Sequence, residues 1–375
     1  MTKAKRSEKE GRDPFSSLPI LPALLEAHPG ISEALARWKE SKRIPPVLLL
    51  TGPSGCGKRM CALHIAQALQ CERAGFFEPA EGEGFFGGGF GFSETPPKSE
   101  GGPCGECASC LRALSGQAID FTEIRLEDDE KTFGVDRFRE IKEKQGFSSF
   151  GGGPKIYLIP DADRMTLSAA NSVLKLLEEP PAGWACLLTV TDPSLLPSTV
   201  VSRCQMLRLR PLPDETLLEL LREDDLPADR IATVAKIAEG SLTRARDLAG
   251  DEAWATRGDI LRFLGQPSSA YHSLIEYAAT EPARFRLLLD QFEHLLADLI
   301  RTTHTPGTPF RNLDAKRSLE EHAKKCIARK GGAQPALAFW MDRSERLFRL
   351  RREVTAPLNT KVLVQDFLSP WMDAV

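Results

Sequence analysis

Residues 47–59 read Val-Leu-Leu-Leu-Thr-Gly-Pro-Ser-Gly-Cys-Gly-Lys-Arg. The first five are apolar enough to predict a short buried strand. The next eight match a phosphate-binding loop, G-x-x-x-x-G-K-[ST], at every position except the last. In such a loop the glycines let backbone N–H groups turn toward phosphate oxygens, and the lysine reaches the outer phosphates. Residues 58–69 then have helical apolar spacing, so the stretch predicts a strand, a phosphate loop and a helix.

The last position of the loop departs from the pattern. A Ser or Thr hydroxyl would ligate Mg²⁺ there, whereas Arg59 carries only donors and cannot coordinate a cation. ATPases of this type place a second metal contact, Asp-Glu, at the end of another buried strand. Here that strand is followed by Pro160 at the metal-holding position and Asp161 at the position of the catalytic Glu. Two altered metal contacts predict a site without hydrolytic function; the alternative is that Asp161 or Asp163 substitutes after a small shift.

A second motif is Cys104-Gly-Glu-Cys107-Ala-Ser-Cys110. A CxxC turn aims two thiolates at one cation, and the third cysteine extends the same turn. Tetrahedral Zn²⁺ needs one more thiolate, for which Cys71 is the candidate, and four protein ligands make a structural site. The alternative is a set of unligated cysteines. The other cysteines lack this spacing and are interpreted as small buried residues: Cys56, Cys61, Cys186, Cys204 and Cys326.

Composition limits the functional classes. A chain of 375 residues predicts two or three domains. Lys and Arg number 49 against 52 Asp and Glu, a formal charge of −3, so any contact with DNA must be local. No stretch reaches membrane-spanning length, and residues 1–13 lack the apolar core of a signal peptide. Together with nine cysteines, this predicts a reducing, cytoplasmic location.

Apolar strands alternate with helices in the first half of the chain, which predicts an α/β fold with a parallel sheet covered on both faces. Thr166 is the predicted N-cap of a helix that buries Ala170, Val173, Leu174 and Leu177. Residues 72–103 are rich in Gly, Phe, Glu and Pro and are interpreted as a mobile spacer, with a binding segment as the alternative. The further predicted strands are 121–126, 156–159 and 184–190, and the further helices are 31–42 and 135–144.

The strand signals stop after Pro211. Helices are predicted over residues 214–221, 228–238, 242–263 and 284–301. The last of these places seven apolar residues on one broad face, which indicates an all-helical core: Phe285, Leu288, Leu289, Phe292, Leu295, Leu296 and Leu299.

Ser202-Arg203-Cys204 follows the last predicted strand. One interpretation of Arg203 is an ordinary surface ion pair. The other is that it lies at the edge of an ATPase-like sheet and reaches the γ-phosphate of a neighbouring subunit, where a guanidinium stabilises charge in the transition state.

These motifs together resemble the bacterial DNA polymerase III clamp-loader subunits. The resemblance runs from about residue 18 and is most specific over residues 155–213. Its motifs are GPSGCGKR, Cys71 with CGECASC, LIPDADRMTLSAANSVLKLLEEPP, LLTVTDPSLLPSTVVSRC and GSLTRA. It implies a flexible tail (1–17), an AAA+ P-loop domain (18–211) with an inserted zinc module (71–110), a helical lid (212–265) and an all-α collar for oligomerisation (266–375).

The family has two branches that these residues help to separate. The gamma/tau branch keeps Thr after the loop lysine and Asp-Glu on the second strand, whereas delta-prime often has a degraded nucleotide site. Arg59 and Pro160 favour delta-prime, as does Thr243 where the ATPase branch has a nucleotide-sensing Arg. The implied sites are a degenerate nucleotide site (Gly52, Gly55, Gly57, Lys58, Arg59, Thr191), an arginine finger (Arg203) and zinc ligands (Cys71, Cys104, Cys107, Cys110).

The resemblance implies a mainly non-hydrolysing stator in a ring with gamma/tau and delta subunits. The ring would load the sliding clamp onto primed DNA as part of the DNA polymerase III holoenzyme, in the replisome at the nucleoid. This chain would hold structural Zn²⁺, bind ATP and Mg²⁺ weakly or not at all, and have no polymerase active site. The alternatives are a gamma/tau-like ATPase, another AAA+ remodelling ATPase, or a zinc-stabilised DNA-binding module, which the near-neutral charge disfavours.

Overall fold

The computed structural model describes residues 22–76, 102–126, 130–138, 153–224, 226–353 and 360–372. The predicted N-terminal tail, most of the Gly- and Phe-rich insertion and the predicted helix beyond residue 138 lie outside these residues. The chain divides into two compact units, Met1–Thr216 and Leu217–Val375. Among the described helices, none is both long and apolar enough to cross a bilayer.

The first unit contains a sheet that confirms the predicted parallel α/β fold. In the described residues its strands are β1 (Val47–Thr51), β2 (Phe121–Glu123), β3 (Lys155–Ile159), β4 (Trp184–Val190) and β5 (Gln205–Arg208). They are all parallel, in the order β2-β3-β4-β1-β5. Every residue of β1 and β4 is buried, as expected for central strands covered on both faces. The phosphate loop therefore begins at the carboxyl end of a central strand.

The sheet differs from the predicted strands in two details. Strand β2 ends at Glu123 rather than at residue 126. Strand β5 was not predicted, because only Leu207 of its four residues is buried and it lies at the sheet edge, so it has neither an apolar run nor a regular alternation.

Helices cover the sheet of the first unit. They are α1 (Pro22–Ala27), α2 (Pro29–Ser41), α3 (Lys58–Gln70), α4 (Ala108–Leu114), α5 (Leu167–Glu178) and α6 (Ser198–Val201). The predicted cap of α5 is confirmed, because the Thr166 hydroxyl accepts a hydrogen bond from the Ala169 N–H at 3.1 Å. Three of the four predicted core residues of α5 are buried, whereas Leu174 is half-buried.

The described part of the second unit is helical. Helix α7 (Asp214–Arg222) begins just before the boundary between the units. The helices after it are α8 (Ala228–Ile237), α9 (Leu242–Ala249), α10 (Asp251–Gly265), α11 (Pro267–Thr280), α12 (Pro282–His304), α13 (Lys316–Lys330), α14 (Ala333–Glu353) and α15 (Thr360–Met372). The seven predicted core residues of α12 are all at most 1% exposed. The single helix predicted over 242–263 was wrong, because Gly250 has an extended ψ of 146° that separates α9 from α10.

A buried arginine connects three segments of the second unit. The Arg257 guanidinium on α10 pairs with both carboxylate oxygens of Asp314, each at 2.8 Å. It also donates to Asn312 Oδ1 at 2.7 Å and to Gln291 Oε1 on α12 at 3.0 Å. The Arg257 side chain is 1% exposed and the Asp314 side chain 21%, so the guanidinium itself is shielded from water.

We expect Arg257→Met to lower the free energy of unfolding by about 3 kcal/mol, because it leaves buried acceptors and a carboxylate without their cation. Urea unfolding of the full chain measures this. Arg262→Met on the same helix is the matched control, because Arg262 is 72% exposed and its ion-pair partner among the described residues is Asp259, three residues away. Equal effects of the two substitutions would contradict the prediction.

Candidate functional site

The phosphate loop joins β1 to α3, and its geometry requires glycine at two positions. A Cβ at Gly52 would lie 2.6 Å from the Leu209 carbonyl oxygen. Gly57 has a φ of +90°, and a Cβ there would lie 2.7 Å from the Leu24 side chain on α1. Any residue with a Cβ at these two positions would force the neighbouring atoms to move. The two glycines of the phosphate-loop motif are therefore also required by the packing around the loop.

Lys58 is retained and points back at its own loop. Its Nζ donates to the carbonyl oxygens of Gly52 and Pro53, both at 2.8 Å, and the residue is 7% exposed. The ammonium group therefore lies over the loop, where a phosphate oxygen could replace a carbonyl as its partner.

The N-terminal helices pack over the same loop. His28, between α1 and α2, hydrogen-bonds through Nε2 to the Cys56 carbonyl oxygen at 2.8 Å. Burial lowers the pKa of His28, and the hydrogen bond to Cys56 opposes this effect only in part. The neutral imidazole thus holds the loop in place, a contact that the sequence motif alone does not reveal.

Arg59, at the position of the metal-ligating hydroxyl, is held by a carboxylate on β2. Its Nε and Nη2 donate to the two oxygens of Glu123 at 2.6 and 2.9 Å. Arg125 donates to the same carboxylate at 2.5 Å, and the Glu123 side chain is 4% exposed. Burial alone would raise the pKa of Glu123, but hydrogen bonds and charge from Arg59 and Arg125 outweigh burial and lower it. No sequence motif marks Glu123 as the partner of Arg59, because the two residues lie 64 positions apart.

The segment after β3 contains the residues that stand where ATPases of this type have their second metal contact. Asp161 has a φ of +51°, and its N–H donates to Thr189 Oγ1 at 3.1 Å. Asp163 accepts hydrogen bonds from both the N–H and the hydroxyl of Thr191, the residue after β4. The Asp163 carboxylate therefore connects the segment after β3 to Thr191 at the end of β4.

Arg203 lies just after α6 and is exposed. Its Nη1 donates to the Thr199 carbonyl oxygen at 2.8 Å and contacts Ser202 Oγ at 3.3 Å. Its Nη2 donates to Glu178 Oε1 at 2.6 Å. The surface ion pair considered from sequence is therefore present, and the guanidinium remains accessible.

The structure brings Cys71, Cys104, Cys107 and Cys110 together. Their four Sγ atoms all lie within 4.8 Å of one another, with Cys71–Cys107 at 3.9 Å and Cys104–Cys110 at 4.0 Å. Tetrahedral Zn²⁺ with Zn–S bonds of about 2.3 Å has sulfur–sulfur edges of about 3.8 Å, which these distances match. The cluster could therefore hold one Zn²⁺.

Backbone and side-chain contacts support this cluster. The N–H groups of Cys104, Cys107 and Cys110 point at the sulfurs of Cys71, Cys104 and Cys107, at 3.4, 3.3 and 3.4 Å. The Glu72 carboxylate accepts hydrogen bonds from the N–H and hydroxyl of Ser109, which fastens the turn after α3 to the start of α4. A hydrogen bond with the Cys110 thiol lowers the pKa of Cys71 to about 5, against the effect of burial. The same hydrogen bond raises the pKa of Cys110, and burial raises the pKa of Cys107, so the metal assignment rests on the arrangement of the four sulfur atoms.

The remaining cysteines follow the prediction with one exception. Cys56, Cys61, Cys186 and Cys326 are buried, as predicted. Cys204 is only half-buried, because it follows the exposed end of α6, and its thiol donates to the Val200 carbonyl oxygen at 3.2 Å. Burial nevertheless raises the pKa of Cys204 to about 12, so it is a poor nucleophile.

Comparison with known proteins now adds to this geometry. A family model described as "DNA polymerase III, delta subunit" matches residues 91–213, which include three of the clustered cysteines, β3, β4 and Arg203. The delta' subunit of Escherichia coli K12 is 32% identical over 200 residues, covering 52% of this chain and 58% of the relative. The chain is therefore similar to subunits of the DNA polymerase III clamp loader.

The other proteins that this chain resembles include both kinds of subunit. The tau subunit of Bacillus subtilis 168 is 29% identical over 238 residues, covering 62% of this chain and 37% of that protein. The delta' subunit of Pseudomonas aeruginosa is 32% identical over 216 residues, covering 57% and 58%. The matches thus span only 37 to 58% of the length of these three relatives. A solved gamma subunit-related protein of Thermotoga maritima aligns over 92% of this chain and 99% of its own, with 16% identity and a TM-score of 0.42.

The position of Thr243, which was used above to separate the two branches, lies in α9. Ser241 caps α9 by accepting a hydrogen bond from the Arg244 N–H at 3.2 Å. The Arg244 guanidinium pairs with Glu239 at 3.3 Å and lies 3.7 Å from Glu293. Arg244, which follows Thr243, is therefore engaged with two carboxylates of the same unit.

Proposed function

We propose that this chain is the delta-prime subunit of a DNA polymerase III clamp loader, a largely non-hydrolysing stator that completes the ATP site of a neighbouring subunit. The observation that carries the proposal is the bidentate ion pair between Arg59 and Glu123. It holds a cation where an active ATPase of this type needs a hydroxyl ligand for Mg²⁺.

The Arg59–Glu123 pair argues against hydrolysis for two reasons. A guanidinium offers no lone pair to a metal ion, and its positive charge disfavours a second cation nearby. The side chain is also committed to a carboxylate that is 4% exposed, so moving it aside would leave a buried charge without one of its partners. Pro160 offers no side-chain oxygen as a substitute.

The loop nevertheless keeps features that favour weak phosphate binding. Lys58 is present and already lies over the loop, and the glycines keep the backbone turn. We therefore propose Gly52, Gly55, Gly57, Lys58, Arg59 and Thr191 as a degenerate nucleotide site in which Mg²⁺-dependent chemistry is lost.

Arg203 would act on another polypeptide. It is accessible, and an exposed ion pair of the kind it makes with Glu178 is weak enough to be exchanged for phosphate. In the proposed ring, gamma/tau subunits hydrolyse ATP, a delta subunit contributes to clamp opening, and the assembly places the sliding clamp on primed DNA.

The other parts of the chain would support this assembly. The four-cysteine cluster would hold structural Zn²⁺ within the AAA+ P-loop domain (18–211), and residues 212–265 would form the lid. Residues 266–375 would form the collar that joins the subunits, a role that suits the large apolar core around α12. A location in the cytoplasm, at the nucleoid-associated replisome, follows from the same proposal.

We expect the isolated chain to show no Mg²⁺-dependent ATP turnover above that of its Lys58→Ala variant, because both metal contacts are altered. Phosphate release from purified protein measures this, with a gamma/tau subunit as the positive control. Steady hydrolysis that Lys58→Ala abolishes would instead assign the chain a gamma/tau-like ATPase function.

Assembly gives an independent test of the same proposal. Mixed with gamma/tau and delta subunits, the chain should co-elute in one complex and raise the clamp- and DNA-dependent ATPase of the mixture. If the chain neither joins the complex nor changes its rate, the stator function is wrong.

A further inference from the structure

Arg203 is oriented by two separate segments of the first unit. Its Nη1 is tied to its own turn through the Thr199 carbonyl oxygen and Ser202 Oγ, at 2.8 and 3.3 Å. Its Nη2 is tied to Glu178, the last residue of α5, at 2.6 Å. The guanidinium plane is therefore fixed at both terminal nitrogens by acceptors from two elements.

This anchoring matters because a free arginine side chain has many rotamers. A side chain that must meet a phosphate on another polypeptide loses this freedom on contact, unless it is already ordered. The local contacts with Thr199 and Ser202 fix one nitrogen only. The contact with Glu178 supplies the second fixed point, which sets the direction of the guanidinium plane.

The ion pair with Glu178 still allows Arg203 to bind a phosphate. The side chains of Arg203 and Glu178 are 35% and 46% exposed, so the ion pair is screened by water. Within the part of the chain that the structure describes, Nε of Arg203 makes no hydrogen bond. Its N–H group can therefore donate to a second partner such as a phosphate oxygen. Such a pair can order the side chain without preventing its exchange onto phosphate.

We infer that Glu178 is a positioning residue for Arg203, holding its guanidinium ready for the ATP site of a neighbouring subunit. The inference rests on the proposed function of Arg203. It adds that the negative charge at the end of α5 contributes to hydrolysis on another polypeptide although it contacts no nucleotide itself.

The chain offers a matched control in the next residue. Glu179 carries the same charge and is exposed at the end of the same helix. Among the described contacts of Arg203 there is none with Glu179. A general effect of charge near this helix end would therefore appear equally in variants of either residue, whereas positioning of Arg203 is specific to Glu178.

The test uses the complex reconstituted with gamma/tau and delta subunits, with clamp and primed DNA. We expect Glu178→Ala to lower kcat for ATP hydrolysis about two- to fivefold, with KM for ATP unchanged, because an exposed pair has a modest effect on orientation. Glu179→Ala should leave kcat unchanged, and Glu178→Asp should restore part of the loss. Thermal unfolding of the isolated chain and assembly of the complex should be the same for all these variants.

A double substitution separates this inference from the proposed function. If Glu178 acts through Arg203, adding Glu178→Ala to Arg203→Ala should lower kcat no further. A further decrease by the same factor, an unchanged rate in Glu178→Ala alone, or a rate increase would each show that Glu178 does not position Arg203. If Arg203→Ala itself leaves the rate unchanged, the proposed function is wrong and the positioning role is lost with it.

Discussion

Arg203→Ala is expected to lower ATP hydrolysis and clamp delivery by the reconstituted complex while leaving this chain folded and the complex assembled. The guanidinium would meet charge that develops on a phosphate bound to another subunit. Arginine fingers contribute about 10³–10⁵ in rate in well-studied GTPases. Because the other ATP sites of the proposed ring would keep their own residues, we expect a loss of about tenfold or more at the affected site and a smaller loss overall.

Two further variants make this measurement specific. Arg203→Lys should restore little activity, because an ammonium group lacks the planar fork that binds phosphate oxygens in pairs. Arg208→Ala is the control, since Arg208 is an exposed arginine of the same unit, on the edge strand β5. Clamp loading by the Arg203→Ala complex at the wild-type rate would show that Arg203 forms only the surface ion pair with Glu178.

Loss of one cysteine of the cluster should have the second large effect. Protein purified without chelator should contain about one Zn²⁺ per chain, as a single four-cysteine site holds. Cys107→Ser should release the metal and unfold the surrounding module, because structural zinc contributes about 10–16 kcal/mol of apparent binding free energy in small zinc domains. Metal analysis and hydrogen exchange over the described residues 71–76 and 102–110 measure these effects.

Controls for the zinc prediction come from the other cysteines. Cys326→Ser, a buried cysteine of the second unit, should keep the full zinc content. Cys71→Ser tests the ligand that lies far from the other three in sequence. If that variant keeps both its zinc and its protection from exchange, the fourth ligand has been assigned to the wrong residue.

The features that sequence analysis predicted best are encoded locally. The strand, loop and helix around Lys58 are contiguous, and three of the four clustered cysteines lie within seven residues. The packing of α12 was also predictable, because its apolar face repeats at helical spacing over several turns.

The features that were missed depend on distant residues or on weak patterns. Glu123 meets Arg59 across 64 residues, and Glu178 meets Arg203 across 25, so no motif marks either pair. Strand β5 is an edge strand with one buried residue, and its sequence resembles a loop. The break at Gly250 was overlooked because apolar spacing continues on both sides, while one backbone angle separates the helices.

The ion pair between Arg59 and Glu123 has a consequence for the evolution of this chain. Reversion of Arg59 to Thr would return a hydroxyl to the loop but would leave the Glu123 carboxylate, 4% exposed, with Arg125 as its remaining arginine partner. Such a reversion would cost stability before it gained any activity, since Pro160 would still lack a metal ligand. In the proposed non-hydrolysing role, recovery of hydrolysis would therefore require coordinated changes at Arg59, Glu123 and Pro160, so no single substitution would restore it.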